Sequence, residues 1–244
     1  MRNYWDTDVY YSQPSEAELN ARKSASVRKE QNKGKVLEPV VVSGRTITKN
    51  WWGNAWCENL EQYADFESRL SRGKRYVRTG AVIDLKIQKG KILARVQGTR
   101  KSPYKIEIRI SPVSEEKCQE ILQKCSQRIE NMEELLSGNF PLQMQELFIG
   151  QSGLFPTPKE ISFHCSCPDW ALMCKHVAAT LYGVGVRLDS EPLLFFELRG
   201  IDPGHFVDVA IANKVEMMLT HAEHVTGQDL IVSDRLMTDL FGVI

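Results

Sequence analysis

Residues 163–185 read FHCSCPDWALMCKHVAATLYGVG, and between positions 165 and 176 they hold three of the chain's six cysteines and one of its five histidines. The spacing is Cys-x-Cys, six residues, then Cys-x-His. Four interpretations compete for this pattern: a metal site, a disulfide cluster, a catalytic centre and a chance grouping. The rest of the sequence has to decide between them.

The expected compartment argues against disulfides. Met1 to Tyr11 lacks the apolar central region of a signal peptide, and no apolar run reaches the roughly 18–20 residues of a membrane helix. We therefore expect a cytoplasmic protein, in which cysteines stay reduced. A cysteine nucleophile needs one thiolate beside a base, whereas three thiols and an imidazole supply the four tetrahedral ligands of structural zinc. The sequence therefore predicts Zn²⁺ bound by Cys165, Cys167, Cys174 and His176.

The elements around these ligands are also predictable. ISFHC (161–165) is typical of a strand, and Pro168-Asp169 favours a turn. From Lys175 onward the apolar residues recur at helical spacing, which places Cys174 at or before the first helical turn. A thiolate there is stabilised by the helix dipole. We expect Trp170, in the loop between the ligands, to cover the site from water.

Outside this motif, the spacing of apolar residues predicts three further helices and three strands. A helix begins near Lys49, in KNWWGNAWCENLEQYADF (49–66), and packs through its tryptophans. Strands at 81–87, 91–98 and 104–110 alternate apolar and polar residues, which favours an antiparallel meander with one largely cationic wet face. A helix from Ser114 to Gly138 places Cys118 and Cys125 on its apolar stripe, and a shorter helix covers about 142–148.

The net charge of zero conceals an uneven distribution. Residues 1–110 carry 22 Lys and Arg against 12 Asp and Glu, while residues 111–244 carry 9 against 19. The opposite charges either help the two halves dock or mark a basic half that meets a polyanion. RLSRGKRYVRTG and GTRKSPYK mix cations with tyrosines, a composition suited to phosphates and bases. The predicted nucleic-acid contacts are Arg69, Arg72, Lys74, Arg75, Tyr76, Arg78, Arg100, Lys101 and Lys105.

The motif CPDW followed by CKHVAA resembles the SWIM zinc finger. Four further stretches resemble a bacterial branch of that family often encoded beside Swi/Snf-type helicases: WWGNAW (51–56), RLSRGKRYVR (69–78), VQGTRKSPYK (96–105) and LLFFELRG (193–200). The resemblance spans about residues 45–201. It implies zinc and the binding of DNA or protein partners, and it supplies no catalytic residues.

We therefore expect an α+β protein with a small antiparallel sheet and flanking helices, followed by a SWIM-type zinc finger and a helical C-terminal tail. The expected division is a flexible N-terminal segment (1–48), a basic α+β domain (49–150), the zinc finger region (151–201) and the tail (202–244). The polar, basic segment NARKSASVRKEQNKGK lacks the apolar residues needed to order itself.

Signatures of catalysis are missing from the sequence. No GxxxxGK[ST] loop occurs, and the HxE and CxxC of zinc deaminases do not accompany the cysteines. We expect a non-enzymatic zinc accessory protein that binds nucleic acid, DNA above all, and a DNA-processing partner such as a Swi/Snf-type helicase. The alternative is a protein-interaction adaptor with a structural finger and no direct nucleic-acid contact.

Overall fold

A computed structural model of the chain describes residues 15–128, 145–149 and 153–202, with Gly204, His205, Asp208, Ile211, Ala212, Val215, Glu216 and residues 218–220. The helices are α1 (Glu16–Gln31), α2 (Trp51–Glu61), α3 (Glu67–Arg78), α4 (Glu115–Arg128), α5 (Gln145–Ile149), α6 (Lys175–Ser190) and α7 (Leu194–Leu198). The strands are β1 (Val82–Gln88), β2 (Lys91–Val96), β3 (Tyr104–Ile110) and β4 (Ile161–Cys165). The expected α+β class is confirmed. None of the described helices is long and apolar enough to cross a membrane.

The four strands form one antiparallel sheet in the order β1-β2-β3-β4. The alternation predicted for β2 and β3 is confirmed, because Ile92, Ile106 and Ile108 are buried on one face, whereas β1 buries the successive residues from Val82 to Leu85. β4 pairs with β3 so that Cys165 lies opposite Ile106. The strand that carries the first cysteine of the motif is therefore part of the same sheet as the basic strands.

The core lies between this sheet and helices α2, α3 and α6. The helix predicted near Lys49 is α2, and its indole groups bind α6: Trp52 Nε1 donates to the Leu188 carbonyl at 2.8 Å, and Trp56 Nε1 to the Leu181 carbonyl at 3.0 Å. Trp56 is fully buried. Because a buried indole N–H needs an acceptor, these bonds fix how α2 sits on α6.

The apolar run at 193–198 contacts the sheet. Phe195, Phe196 and Leu198 of α7 are buried, and the Leu198 carbonyl accepts a hydrogen bond from Gly90, in the β1–β2 turn, at 3.0 Å. Arg199 follows α7, is fully buried and pairs with Glu160 at 2.6 Å just before β4. These contacts bring the chain beyond the motif back against the far end of the sheet.

The expectation of a loosely structured N-terminal segment is wrong for residues 16–31, which form the helix α1. Ser15 and Glu18 make a capping box at its N-terminus. No apolar side chain of α1 is buried; its buried residues are Ser26 and Glu30. α1 is ordered by polar contacts with the sheet, namely Ser26 with Gln97 at 2.7 Å and Glu30 with Arg95. The spacing of apolar residues therefore cannot predict this helix, because its contacts with the rest of the protein are polar.

Some sequence predictions concern residues that the structure describes only in part. α4 is described as far as Arg128, with Cys118 half-buried; the side chain of Cys125 and the predicted helix end at Gly138 lie outside the described residues. The short helix expected at 142–148 is α5. In the tail, the individual described residues from Gly204 to Thr220 have helical backbone conformation, and residues 221–244 lie outside the description.

Candidate metal centre

The four predicted ligands come together at one end of the sheet. Cys165 is the last residue of β4, and Cys167 follows it in the loop. Cys174 is the N-cap of α6 with φ −70° and ψ 164°, and His176 is the second residue of that helix. The strand, the turn and the helix N-terminus expected from the sequence are thus all present.

The distances between the ligand atoms suit a metal ion. The three Sγ atoms and one ring nitrogen of His176 all lie within 4.8 Å of one another. Cys165 Sγ and Cys174 Sγ are each 3.9 Å from His176 Nδ1. Ligands placed tetrahedrally around zinc are separated by roughly 3.3–3.8 Å. Side-chain adjustments of less than about 1 Å would therefore bring the four atoms to bonding distance.

Backbone amides around the cluster favour thiolates. The N–H groups of Cys167, Asp169 and Val177 hydrogen-bond to the sulfurs of Cys165, Cys167 and Cys174, respectively, which favours the thiolate forms, although burial still raises the pKa of the Cys167 thiol. The Cys165 thiol also donates to Cys174, which is the largest cause of a lowered pKa at Cys174 and a raised pKa at Cys165. The cluster therefore stabilises a first thiolate at Cys174, and a bound dication would stabilise the other two.

His176 is held in place by two tyrosines. Its ring is 1% exposed, stacks on Tyr104 at 4.1 Å between centroids, and meets the edge of Tyr76 at 5.4 Å. Nδ1 faces the sulfurs, whereas Nε2 is buried without a hydrogen-bond partner among the described residues. Stacking fixes the ring plane, so that Nδ1 points at the position an ion would occupy.

Two aspartates hold the loop between the cysteine pairs. Asp65, between α2 and α3, accepts hydrogen bonds from the amides of Leu172 at 2.8 Å and Met173 at 3.3 Å. Asp169 pairs with Arg69 of α3 at 3.1 Å. These bonds set the path of the chain into Cys174, so the ligand loop is positioned by α3 as well as by its own turn.

Trp170 does not cover the site, and the sequence-based expectation is wrong on this point. Its side chain is 82% exposed and lies edge-to-face with Phe66, at 5.6 Å between ring centroids. Leu172, two residues further on, is 65% exposed. Protection from water comes instead from Tyr76, Tyr104 and the N-terminal turn of α6. The loop presents an aromatic and an aliphatic side chain to the outside.

The predicted nucleic-acid residues lie on two elements, one on each side of the cluster. Arg69, Arg72, Lys74, Arg75, Tyr76 and Arg78 belong to α3, and Arg100, Lys101 and Lys105 to the β2–β3 connection and the start of β3. Arg69 is paired with Asp169, and Lys74 with Glu61 at 2.8 Å. The others among the cations are exposed.

The two elements are linked through the ligand histidine. Tyr76 of α3 and Tyr104 of β3 both contact His176, and the Arg100 guanidinium lies 5.2 Å from the centre of the Tyr104 ring. The basic residues of α3 are helical as far as Arg78, and Gly73 packs against Ala178 of α6.

Several supporting residues escaped the sequence analysis. Asp65, Tyr104, Gly98 and the carboxylate of Asp169 act on the site through contacts between distant segments, so local patterns do not reveal these roles. Gly98 is the clearest case, since a Cβ there would lie 2.7 Å from Tyr104 Cε2 and 3.2 Å from His176 Nε2. The glycine in VQGTR was visible in the sequence, but nothing in the neighbouring residues indicates that it lies against a metal ligand.

Comparison with known proteins gives one relative. The chain is 36% identical over 156 residues to the uncharacterized protein Rv2102 of Mycobacterium tuberculosis. The aligned part covers 63% of this chain and 56% of Rv2102, so the chain spans less than two thirds of that protein. No protein-family model matches the chain, and no solved structure matches it. The Cys₃His cluster is thus supported by its geometry, and the likeness to the SWIM zinc finger is one of sequence motifs.

Proposed function

We propose that this chain is a cytoplasmic zinc-binding accessory protein of the SWIM type, which binds DNA and works with a DNA-processing partner such as a Swi/Snf-type helicase. Zinc is the ion best suited to three thiolates and one imidazole in a closed site. The helicase partner is supported by the resemblance of the motif and its flanking segments. In this proposal the chain binds and positions, and it has no catalytic role.

The observation that carries the DNA-binding part is a set of exposed cations around the metal cluster. We call Arg72, Arg75, Arg100, Lys101 and Lys105 the zinc-end surface. None of these five side chains makes an ion pair within the part of the chain that the structure describes. Uncompensated and exposed cations favour a phosphate-bearing ligand.

Salt-dependent binding of labelled DNA tests this proposal. We expect log Kd to change linearly with the logarithm of salt concentration, and replacement of Arg72 and Arg75 by Gln to reduce the slope by up to about 2 units. The matched control is the double replacement of Lys89 and Lys159 by Gln, two exposed lysines at the opposite end of the sheet. Equal slopes for the wild type and both variants would show that Arg72 and Arg75 do not contact DNA and would contradict a DNA-binding role for the zinc-end surface.

The adaptor alternative is favoured by the exposed Trp170 and Leu172. A neighbouring exposed tryptophan and leucine are typical of a surface that binds another protein. If this function is correct, Trp170→Ala should abolish capture of a co-expressed helicase partner from nuclease-treated extract, while the wild-type chain shows no salt-dependent DNA binding. Salt-dependent DNA binding that Trp170→Ala leaves intact would instead favour the accessory-protein function.

A further inference from the structure

A groove of about 270 Å³ runs between α1 and the β2–β3 connection. We call it the α1 groove. It is separate from the metal cluster, and half of its cations come from or follow α1, which the sequence analysis expected to be unstructured. Its cationic lining consists of Lys29, Lys33, Lys35, Arg95, Lys101 and Lys105, and its acidic lining of Glu30.

The positive charge of the α1 groove is only partly compensated. Glu30 binds Arg95, Lys33 at 3.2 Å and Lys35 at 3.1 Å, and Arg95 is the main reason why the pKa of Glu30 falls to about 2. Glu30 is therefore ionised and fully engaged. The remaining cations, Lys29, Lys101 and Lys105, are exposed and make no ion pair with a described residue. Arg95 also pairs with Asp84 at 3.7 Å, so the six cations meet two carboxylates, and the excess of positive charge favours the entry of an anion.

The groove is formed before any ligand arrives. Lys23 donates to the Thr79 carbonyl at 2.9 Å, and Ser26 bonds the Gln97 side chain at 2.7 Å. Arg22 also donates to the Thr99 carbonyl. These polar bonds lock α1 against α3 and the β2–β3 connection, so binding there need not order a helix first.

The lining also indicates which part of a nucleic acid enters. The groove contains lysines, an arginine, two serines and a proline but no aromatic side chain. Stacking on bases needs an aromatic or similar planar surface, whereas lysines contact phosphates without regard to sequence. Lys101 and Lys105 belong both to the α1 groove and to the zinc-end surface, which makes the two basic surfaces continuous.

We propose that the α1 groove is a second phosphate-contact site, in which Lys29, Lys33 and Lys35 bind the backbone of the nucleic acid that the zinc-end surface also contacts. This inference rests on the proposed function and extends the footprint of the DNA from α3, across the β2–β3 connection, to α1. It assigns a binding role to lysines that no motif distinguishes.

The test compares salt slopes of DNA binding for two sets of variants. Replacing Lys29, Lys33 and Lys35 together by Gln should reduce the slope by up to about 3 units, in addition to the loss caused by replacing Arg72 and Arg75. The Lys89 and Lys159 double variant is again the matched control. Because Lys33 and Lys35 pair with Glu30, Lys29→Glu, which removes no ion pair, serves as a second variant and should weaken binding on its own.

The outcomes separate this inference from the proposed function. If the Arg72 and Arg75 variant loses affinity while both α1 variants bind as the wild type does at every salt concentration, the α1 groove is not used and the proposed function stands. If the wild-type chain binds no DNA, both fail. Inorganic polyphosphate is a further probe: tight binding that depends on the α1 lysines but not on Arg72 and Arg75 would show that the groove serves a free polyanion, which contradicts the inference.

Discussion

At Gly98 the backbone passes close to a metal ligand, because a Cβ there would lie 3.2 Å from His176 Nε2. Gly98 follows the end of β2 and lies next to Tyr104, whose ring stacks on His176 at 4.1 Å. The four ligands were predictable because zinc chemistry imposes their types and spacing. Gly98, Asp65 and Tyr104 were not, since their roles exist only after the chain has folded. Trp170 was misinterpreted for the same reason: proximity in sequence says nothing about which way a loop side chain points.

We expect Gly98→Ala to weaken metal binding without removing a ligand. The added methyl would lie 2.7 Å from Tyr104 Cε2, so the ring must move and release its hold on His176. Changes in the residues that support metal ligands reduce affinity by about 10–100-fold. Competition with a chromogenic chelator measures this loss, with Thr99→Ala, at the exposed neighbouring position, as control. An unchanged affinity for Gly98→Ala would show that stacking does not position the ligand.

Among the helices and strands, the predictable ones are those whose apolar residues recur at helical or strand spacing. Strands β2 and β3 and helix α2 bury one face, and the spacing of their apolar residues predicts this. α1 has no such period, because it docks through Ser26, Glu30, Arg22 and Lys23, and polar docking leaves no periodic pattern. The pairing of β4 with β3 could not be predicted either, since the sequence indicates that residues 161–165 form a strand but not which strand they pair with.

The close contact between α3 and α6 predicts that a glycine-to-alanine substitution in α3 is destabilising, the opposite of its usual effect in a helix. In an exposed helix, Gly→Ala stabilises by about 1 kcal/mol. At Gly73 a Cβ would lie 2.6 Å from Ala178 Cβ and 3.0 Å from the Ala179 amide nitrogen, and backbone atoms cannot move aside cheaply. We therefore expect Gly73→Ala to lower the free energy of unfolding by about 1–3 kcal/mol.

Chemical denaturation measures this change. Ser71→Ala, at an exposed position of the same helix, is the control and should shift stability by less than about 0.5 kcal/mol. A stabilised Gly73→Ala variant would mean that α3 and α6 are further apart than the structure has them.

The docking of α1 should depend on pH through Glu30. Its pKa is lowered to about 2 by Arg95 first, then by Lys35 and Lys33, from an ordinary value of 4.5. A lowered pKa in the folded state means that the carboxylate stabilises the fold above about pH 4.5 and that this contribution is lost as the pH falls toward 2. The melting temperature of Glu30→Gln should therefore lie below that of the wild type at pH 6, and the two should converge between pH 4.5 and 2. A constant difference over this range would contradict the assignment.

On the scale of the whole molecule, the segment 161–201 supplies both metal ligands and structural elements of the common core. β4 completes the sheet, α6 packs between α2, α3 and the strands, and α7 closes the far end. The opposite charges of the two halves were visible in the sequence, but the arrangement of the exposed cations around the metal cluster and the α1 groove was not. That arrangement follows from the fold, because the sheet brings α1, α3 and the β2–β3 connection to the same end as the ligands.

The central claim is that Cys165, Cys167, Cys174 and His176 hold zinc. Elemental analysis of the purified protein, prepared without chelator and alongside Cys174→Ser, tests it most directly. We expect one zinc per wild-type chain and a clear loss of zinc in the variant, since a structural site needs all four protein ligands. A wild-type chain that is folded and free of metal, or a Cys174→Ser variant with the full zinc content, would contradict the account.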